Sequence, residues 1–209
     1  MVVLETIALG IIWYQIIAIF GLSIGLHRYF SHKQFEASKT FEVISLFLAM
    51  LAGSRSPLGW AGAHRLHHRF ADTKQDPHSP LHKGFWTVAF NQWKIESIPR
   101  QYIKDLFRNR RIMFFHRYWK YIHTLTAILV LLVSVQWFII LIVIPYVLGF
   151  FGYGLFNALG HRNGKPVTNR FINLLSAGEG YHNVHHGDPS QVRLHKFDLA
   201  GVIAEKFFK

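Results

Sequence analysis

The sequence predicts an all-α integral membrane protein. It would have about three transmembrane helices, one span and then a helical hairpin, beneath a cytoplasmic helical cap. Three observations predict this. Two long stretches carry almost no charge. All 23 Lys and Arg lie outside them, within 27–123 and 161–209. All fourteen His lie in those same two charged segments.

The first apolar stretch runs from Met1 to Leu26 with a single charge, Glu5. A crossing of hydrocarbon ~30 Å thick takes about 20 apolar residues, so a span at about 4–26 fits. Met1 to Glu5 has no basic residue and the apolar run is long, which argues against a cleaved signal peptide. The second stretch, Thr124 to Gly160, has no charge over 37 residues, too long for one helix and suited to two. Spans at about 121–135 and 138–160 are expected, with a turn marked by Ser134, Gln136 and Trp137. Trp119, Tyr121 and Trp137 suit membrane interfaces. Pro145 would kink the returning helix, as membranes tolerate.

A hairpin returns the chain to the side it left, so 27–120 and 161–209 share one face. The excess of Lys and Arg makes that face cytoplasmic and places the N-terminus on the other side. The apolar segment Phe41–Gly53 is about 13 residues, short for a span, and reads as a helix at the cytoplasmic interface. Residues 1–209 read as a single domain without repeats or low-complexity segments. The helix-like tail from about Phe197 onward would pack on the cap.

The chain has no Cys, which removes disulfides, iron–sulfur clusters and thiolate zinc sites from it. Any metal must be held by His, carboxylates or carbonyls. His27 and His32 stand just beyond the first span, and His161 directly follows the last. His64, His67 and His68 form one triplet; His182, His185 and His186 form another. On a helix the offsets i, i+3 and i+4 put three imidazoles on one face, expected to converge on a point. Neutral imidazole binds iron, copper, zinc and nickel. Nine such ligands are too many for one metal and suit two. His78, His82, His116, His123 and His195 read as ordinary surface or core residues. A haem carrier would want His within the apolar stretches 1–26 and 124–160, which have none. Carboxylate-bridged di-iron sites use paired Glu-x-x-His motifs, and only Glu179–His182 matches.

The strings H-R-Y-F-S-H (27–32), H-R-L-H-H (64–68), N-A-L-G-H (157–161) and E-G-Y-H-N-V-H-H (179–186) resemble the histidine boxes of the membrane fatty acid desaturases, the acyl-CoA and acyl-lipid delta-nine-like branch. Asp72-Thr73 and Asp76-Pro77-His78-Ser79-Pro80 match too, and the resemblance covers roughly 7–190. It implies a mid-chain desaturase that uses O2 and two irons. It assigns ligand roles to His27, His32, His64, His67, His68, His161, His182, His185 and His186, and to Asn157 through a water. It places Trp60 beside the substrate. Asp72, Asp76, Glu179 and Asp188 flank the boxes and are candidates to accept the outer N–H of ligand imidazoles.

The sequence departs from the animal acyl-CoA enzymes of that family in three ways. They usually have four spans, and the outermost N-terminal one has no counterpart here. They carry an Arg-Asp pair before the second box, where this chain has Gly62-Ala63, which leaves a glycerolipid carrier open beside acyl-CoA. No haem or ferredoxin domain is recognised, so a separate ferredoxin or small haem cytochrome is expected to deliver electrons. Lys94, Arg100, Lys104, Arg108, Arg110, Arg111, Arg117 and Lys120 face only Glu96 and Asp105 within 94–120. That excess suits an acidic donor, anionic lipid or plain positive-inside topology. Nucleic acid fits poorly, for no binding module is present. Two rival readings remain: a hydroxylase, ketolase or alkane monooxygenase on the same scaffold, or a non-catalytic His-rich metal-binding membrane protein. Transport would favour ionisable groups inside the spans, and these have almost none. Gly149, Gly152 and Gly154 read as small-residue packing positions, with close approach to an acyl chain as the alternative.

Overall fold

The computed structural model describes residues 2–208. Every regular element among them is helical. Helix α1 (Val2–Ile17) continues without a break into a π-helical stretch, Ala18–Ser31. The rest of the chain supplies α2 (Lys39–Leu51), α3 (Pro57–Phe70), the short α4 (Pro80–Lys83) and α5 (Phe85–Ala89), then α6 (Arg110–Val133), α7 (Val135–Phe138) and, after a π stretch at Ile139–Val143, α8 (Ile144–Gly160). Three short helices close the described chain: α9 (Arg170–Leu175), α10 (His182–Gly187) and α11 (Leu199–Phe207).

Two helices, Val3–Ser31 and Val135–Gly160, are long and apolar enough to cross a membrane. The expected span at 121–135 falls on the second half of α6, whose first half carries Arg110, Arg111, Arg117 and Lys120. One side of that second half packs on the core through Ile122, Ala127 and Val130, while the other stays outside the fold, with Leu132 and Val133 at 79% and 80% exposure. The expected turn between the last two helices narrows to one residue. Ser134 is extended and its Oγ accepts from Trp137 N, whereas Gln136 and Trp137 already belong to the returning helix. Pro145 directly follows the π stretch inside the continuous helix Val135–Gly160, where its missing N–H interrupts the backbone ladder.

Helix α2 packs antiparallel along the π-helical part of the first helix. A Cβ on Gly21 would meet Leu48 and Ala49, and one on Gly25 would meet Ser45. Ser38 caps its N-terminus, as Ser56 and Pro57 start α3 in the ordinary way. Glu42 is the buried exception on α2. It accepts from Tyr29 Oη at 2.6 Å, from Asn109 Nδ2 at 2.8 Å and from Arg111, and so ties α2 to the start of α6. Leu22, Leu26, Leu46, Met50, Leu58 and Ile112 fill the core between these helices. Helix α11 covers the opposite side of the first helix, burying Ala200 and Ala204 with Tyr14, Ala18 and Ile24.

Two of the three hairpin glycines are packing positions. A Cβ on Gly149 would strike the Ala52 carbonyl, and one on Gly154 the Ala89 carbonyl. Gly152 differs, its nearest neighbour being Tyr14 Oη at 3.7 Å. Gly154→Ala should therefore cost about 1–3 kcal/mol through overpacking. Gly152→Ala should be neutral or slightly stabilising, since alanine is the better helix former. Thermal melting of both variants in detergent tests this, and equal midpoints would refute it.

Candidate metal centre

The two His-bearing segments, far apart in sequence, meet as expected. The structure gathers nine imidazoles into two groups. One holds His27, His32, His64, His68 and His185; the other holds His67, His161, His182 and His186. Within each group the ligand atoms lie within 4.8 Å of one another.

This grouping corrects the expectation that each triplet converges on one point. With about 100° per residue, i and i+4 lie close together while i+3 diverges to the other side. On α3, His64 and His68 join the five-His group and His67 the four-His group. On α10 the exchange is reciprocal: His182 and His186 enter the four-His group and His185 the five-His group. A second correction concerns His27, which lies on the first helix and not beyond it. Residues five apart diverge by about 140° on an α-helix. Here the backbone bonds i→i+5, with His32 N donating to His27 O at 3.1 Å, and this stacks His32 over His27.

The ring nitrogens match what a shared cation requires. In the five-His group the Nε2 atoms of His27 and His185, of His32 and His64, and of His68 and His185 are 2.9, 2.8 and 2.8 Å apart. In the four-His group the His67–His161 and His161–His182 pairs are 3.0 and 2.7 Å apart. Imidazole nitrogens about 2.0–2.1 Å from one ion, as on zinc, would stand about 3 Å apart at right angles. Tautomers sharpen the point. His67 Nδ1 lies 2.9 Å from Asp76 Oδ2, and His161 Nδ1 lies 2.9 Å from Asp72 Oδ2. If each Nδ1–H donates to its carboxylate, the two neutral rings turn lone pairs toward each other at 3.0 Å, which favours a cation between them. Burial first, and neighbouring imidazoles second, push the His64, His67, His182 and His185 rings well below the usual histidine pKa. They are neutral at pH 7, the form that ligates metals.

Glu179 stands behind the five-His group, with Oε2 2.9 Å from His27 Nδ1, an ion-pair distance without hydrogen-bond geometry. Burial alone would raise its pKa, but Arg28, His27 and Ser23 hold it down at about 2. Asp188, the fourth flanking acid, does something else. It ends α10 and its Oδ1 accepts from Ser190 N and Oγ.

The arginines inside the first two boxes brace them. Arg28 is 1% exposed. It donates to Ser23 Oγ and Glu179 Oε1, to Asp198 Oδ2 at 2.8 Å and to the Val192 carbonyl at 3.0 Å. Asp198 in turn accepts from Gly201 N at the start of α11. Arg65 donates to the Ser31, Phe30 and Tyr102 carbonyls and to both oxygens of Asp105. Reading the boxes for their histidines missed both roles. The available signal was an unpaired Arg beside a buried ligand, which needs a carboxylate from elsewhere.

A cavity of about 630 Å³ reaches the two groups at His27, His64 and His182 and is lined near them by Trp60, Tyr153, Phe156 and Asn157. Trp60 stacks on the His64 ring, centroids 5.4 Å apart. Its lining also includes Arg55, Lys94 and Glu96. Two histidines read as ordinary also reach this cavity. His78 is buried, stacks on His67 at 4.3 Å and, with His67 and Asp76, forms a third cluster of potential ligand atoms. His116 bonds through Nδ1 to Ser56 Oγ at 2.7 Å.

Comparison with known proteins agrees with this geometry. A family model described as fatty acid desaturase matches residues 5–207. An acyl-CoA C20 Delta5-desaturase of Anemone leveillei is 30% identical over 188 residues, 83% of this chain and 60% of that protein. A Delta-9 desaturase-like 2 protein of Arabidopsis thaliana is 31% identical over 192 residues, 82% of this chain and 62% of that protein. An sn-1 stearoyl-lipid 9-desaturase of Anabaena variabilis is 28% identical over 194 residues, 86% of this chain and 71% of that protein. The chain thus spans about three-fifths of the length of the two plant relatives.

Proposed function

Because this chain belongs to the fatty acid desaturase family, we propose that it is an oxygen-dependent fatty acyl desaturase that places a cis double bond in the middle of a saturated acyl chain. The observation that carries the reading is the pair of imidazole groups bordering a partly open cavity. His27, His32, His64, His68 and His185 would hold one iron. His67, His161, His182 and His186 would hold the other, with Asn157 acting through a water. Loaded with iron and supplied with O2 and electrons, such a site provides the oxidising power that removal of hydrogen from an unactivated methylene demands.

The protein's own part is orientation and exclusion of water. Asp72 and Asp76 set the tautomers of His161 and His67, and with Glu179 they place negative charge just behind the ligands. Trp60, Phe156 and Leu22 give the acyl chain an apolar wall beside the histidines. Two hydrogens leave adjacent carbons, and with two electrons and two protons from outside, O2 is reduced to two waters. The donor would be a separate ferredoxin or small haem cytochrome, drawn to the basic 94–120 segment. The carrier would be a membrane glycerolipid or coenzyme A. Three spans, with α6 as the third, would put the histidines and the C-terminus on the cytoplasmic side.

Mass-spectrometric lipid profiling tests this in a host expressing the protein with a ferredoxin and its reductase. A new double bond should appear and be absent with His185→Ala. A hydroxylated or oxidised product would move the chain to the sister chemistries. No product, despite two bound irons and a reduced donor, would refute the substrate assignment.

A further inference from the structure

The segment Leu81–Phe90 has an apolar face that none of the described residues covers. Leu81 is 60%, Trp86 66% and Phe90 46% exposed. These side chains are not scattered. Trp86 stacks on Phe90 at 5.7 Å, and Phe90 meets Phe151 of α8 at 6.2 Å. The backbone beneath is held firmly to α8. The Ala89 carbonyl sits against Gly154, Val88 and Ala89 share a buried cluster with Ala158, and Asn91 Nδ2 donates to the Phe150 carbonyl. The patch therefore continues the outer apolar face of a helix long and apolar enough to cross a membrane.

Polar residues border it at both ends. His82 and Lys83 are exposed directly after Leu81, and Gln92 and Lys94 are exposed after Phe90. Gly164, in the turn that holds exposed Arg162 and Lys165, sits beside Leu81. Basic residues flanking a Trp and two Phe on both sides are the order of groups in a segment that dips into a membrane interface, with the cations at headgroup level.

We propose that Leu81–Phe90 is not part of a water-exposed cap but a monotopic element inserted into the bilayer alongside α8. Trp86, Phe90 and Phe151 lie in lipid, and Lys83, Arg162 and Lys165 mark the headgroups. The occupant of the patch is the lipid leaflet itself, chosen over a protein partner because the patch is continuous with the lipid face of α8. The placement has a consequence for the cavity. Residues from Asn91 to Ile98 directly follow the inserted segment and form part of the cavity wall. That wall stands at the membrane edge, where an acyl chain can pass sideways from the leaflet without crossing water. This last step rests on the proposed function; the insertion does not.

The absence of cysteine makes the test direct. Single cysteines at positions 83, 86 and 90 of the full chain, labelled with a nitroxide and reconstituted in lipid nanodiscs, are probed for collision with O2 and with a water-soluble nickel chelate. Labels at 86 and 90 should favour O2 several-fold over nickel, and the label at 83 the reverse. Nickel access at 86 and 90 equal to that at 83 would overturn the proposal. So would dipolar broadening that vanishes on dilution with unlabelled protein, since it would assign the patch to a second copy. Quenching by brominated lipid gives a check without cysteines: Trp86→Phe should remove a distinct share of the quenched emission. None of these readouts uses desaturation, so an inactive protein leaves them interpretable.

Discussion

Arg28→Met is expected to be among the most damaging single substitutions outside the histidines. Arg28 stands between two buried carboxylates, Glu179 and Asp198, at side-chain exposures of 4% and 0%. Removing the cation strands both. Breaking a buried ion pair by deleting one partner costs about 3–5 kcal/mol, because the remaining charge keeps its desolvation penalty and loses its compensation. The loss should spread in two directions. Asp198 starts α11, so the C-terminal helix should loosen from the first helix. Glu179 supports His27, so the five-His group should lose definition. Detergent melting followed by size-exclusion chromatography reads the first effect, and bound metal per chain the second. The combination Arg28→Met with Glu179→Gln and Asp198→Asn removes the stranded charges and should recover part of the melting temperature. Arg65→Met should cost less, since its partner Asp105 is 34% exposed and water can take over. A wild-type midpoint for Arg28→Met would show that the clamp contributes nothing.

What the sequence discloses about this fold follows from which features are local. Charge-free runs and the offsets 64/67/68 and 182/185/186 are local, so the apolar helices and the presence of a histidine cluster could be read directly. The segment 41–53 was also legible as a helix, because it is an apolar run too short to span; α2 occupies Lys39–Leu51. The division of nine histidines into five and four is not local. It depends on how α3 and α10 are turned toward each other, and spacing within either triplet is silent on that. The π-helical stretch that aligns His27 with His32 leaves no mark in the residue pattern. His78 resembled a stray histidine because the signal that matters is its stacking on His67 across a loop. Arg28 and Arg65 were counted as topology charges, although their carboxylates come from positions 151 and 40 residues away.

The five-and-four division leads to the second large effect, a selective loss of one metal. Asp72 accepts from His161 alone among the nine imidazoles, and His161 belongs to the four-His group. Carboxylates behind ligand histidines typically contribute about 10–100-fold in metal affinity. Asp72→Ala removes both the acceptor and the charge, so it should weaken one of two bound ions by about that factor and leave the other unchanged. Asp72→Asn keeps an acceptor oxygen without the charge and should fall between Asp72→Ala and the wild type. His182→Ala deletes a ligand of the same group and should leave one tightly held ion per chain. Chelator-stripped protein titrated with ferrous iron under nitrogen, and with zinc as a redox-silent control, gives the two binding steps separately. If the nine histidines formed a single pooled site, Asp72→Ala would instead weaken both steps together. That result would remove the reciprocal arrangement of α3 and α10 as the reason two ions are held apart. A loss confined to one step would show that each helix serves both metals, its i and i+4 histidines facing one and its i+3 histidine the other.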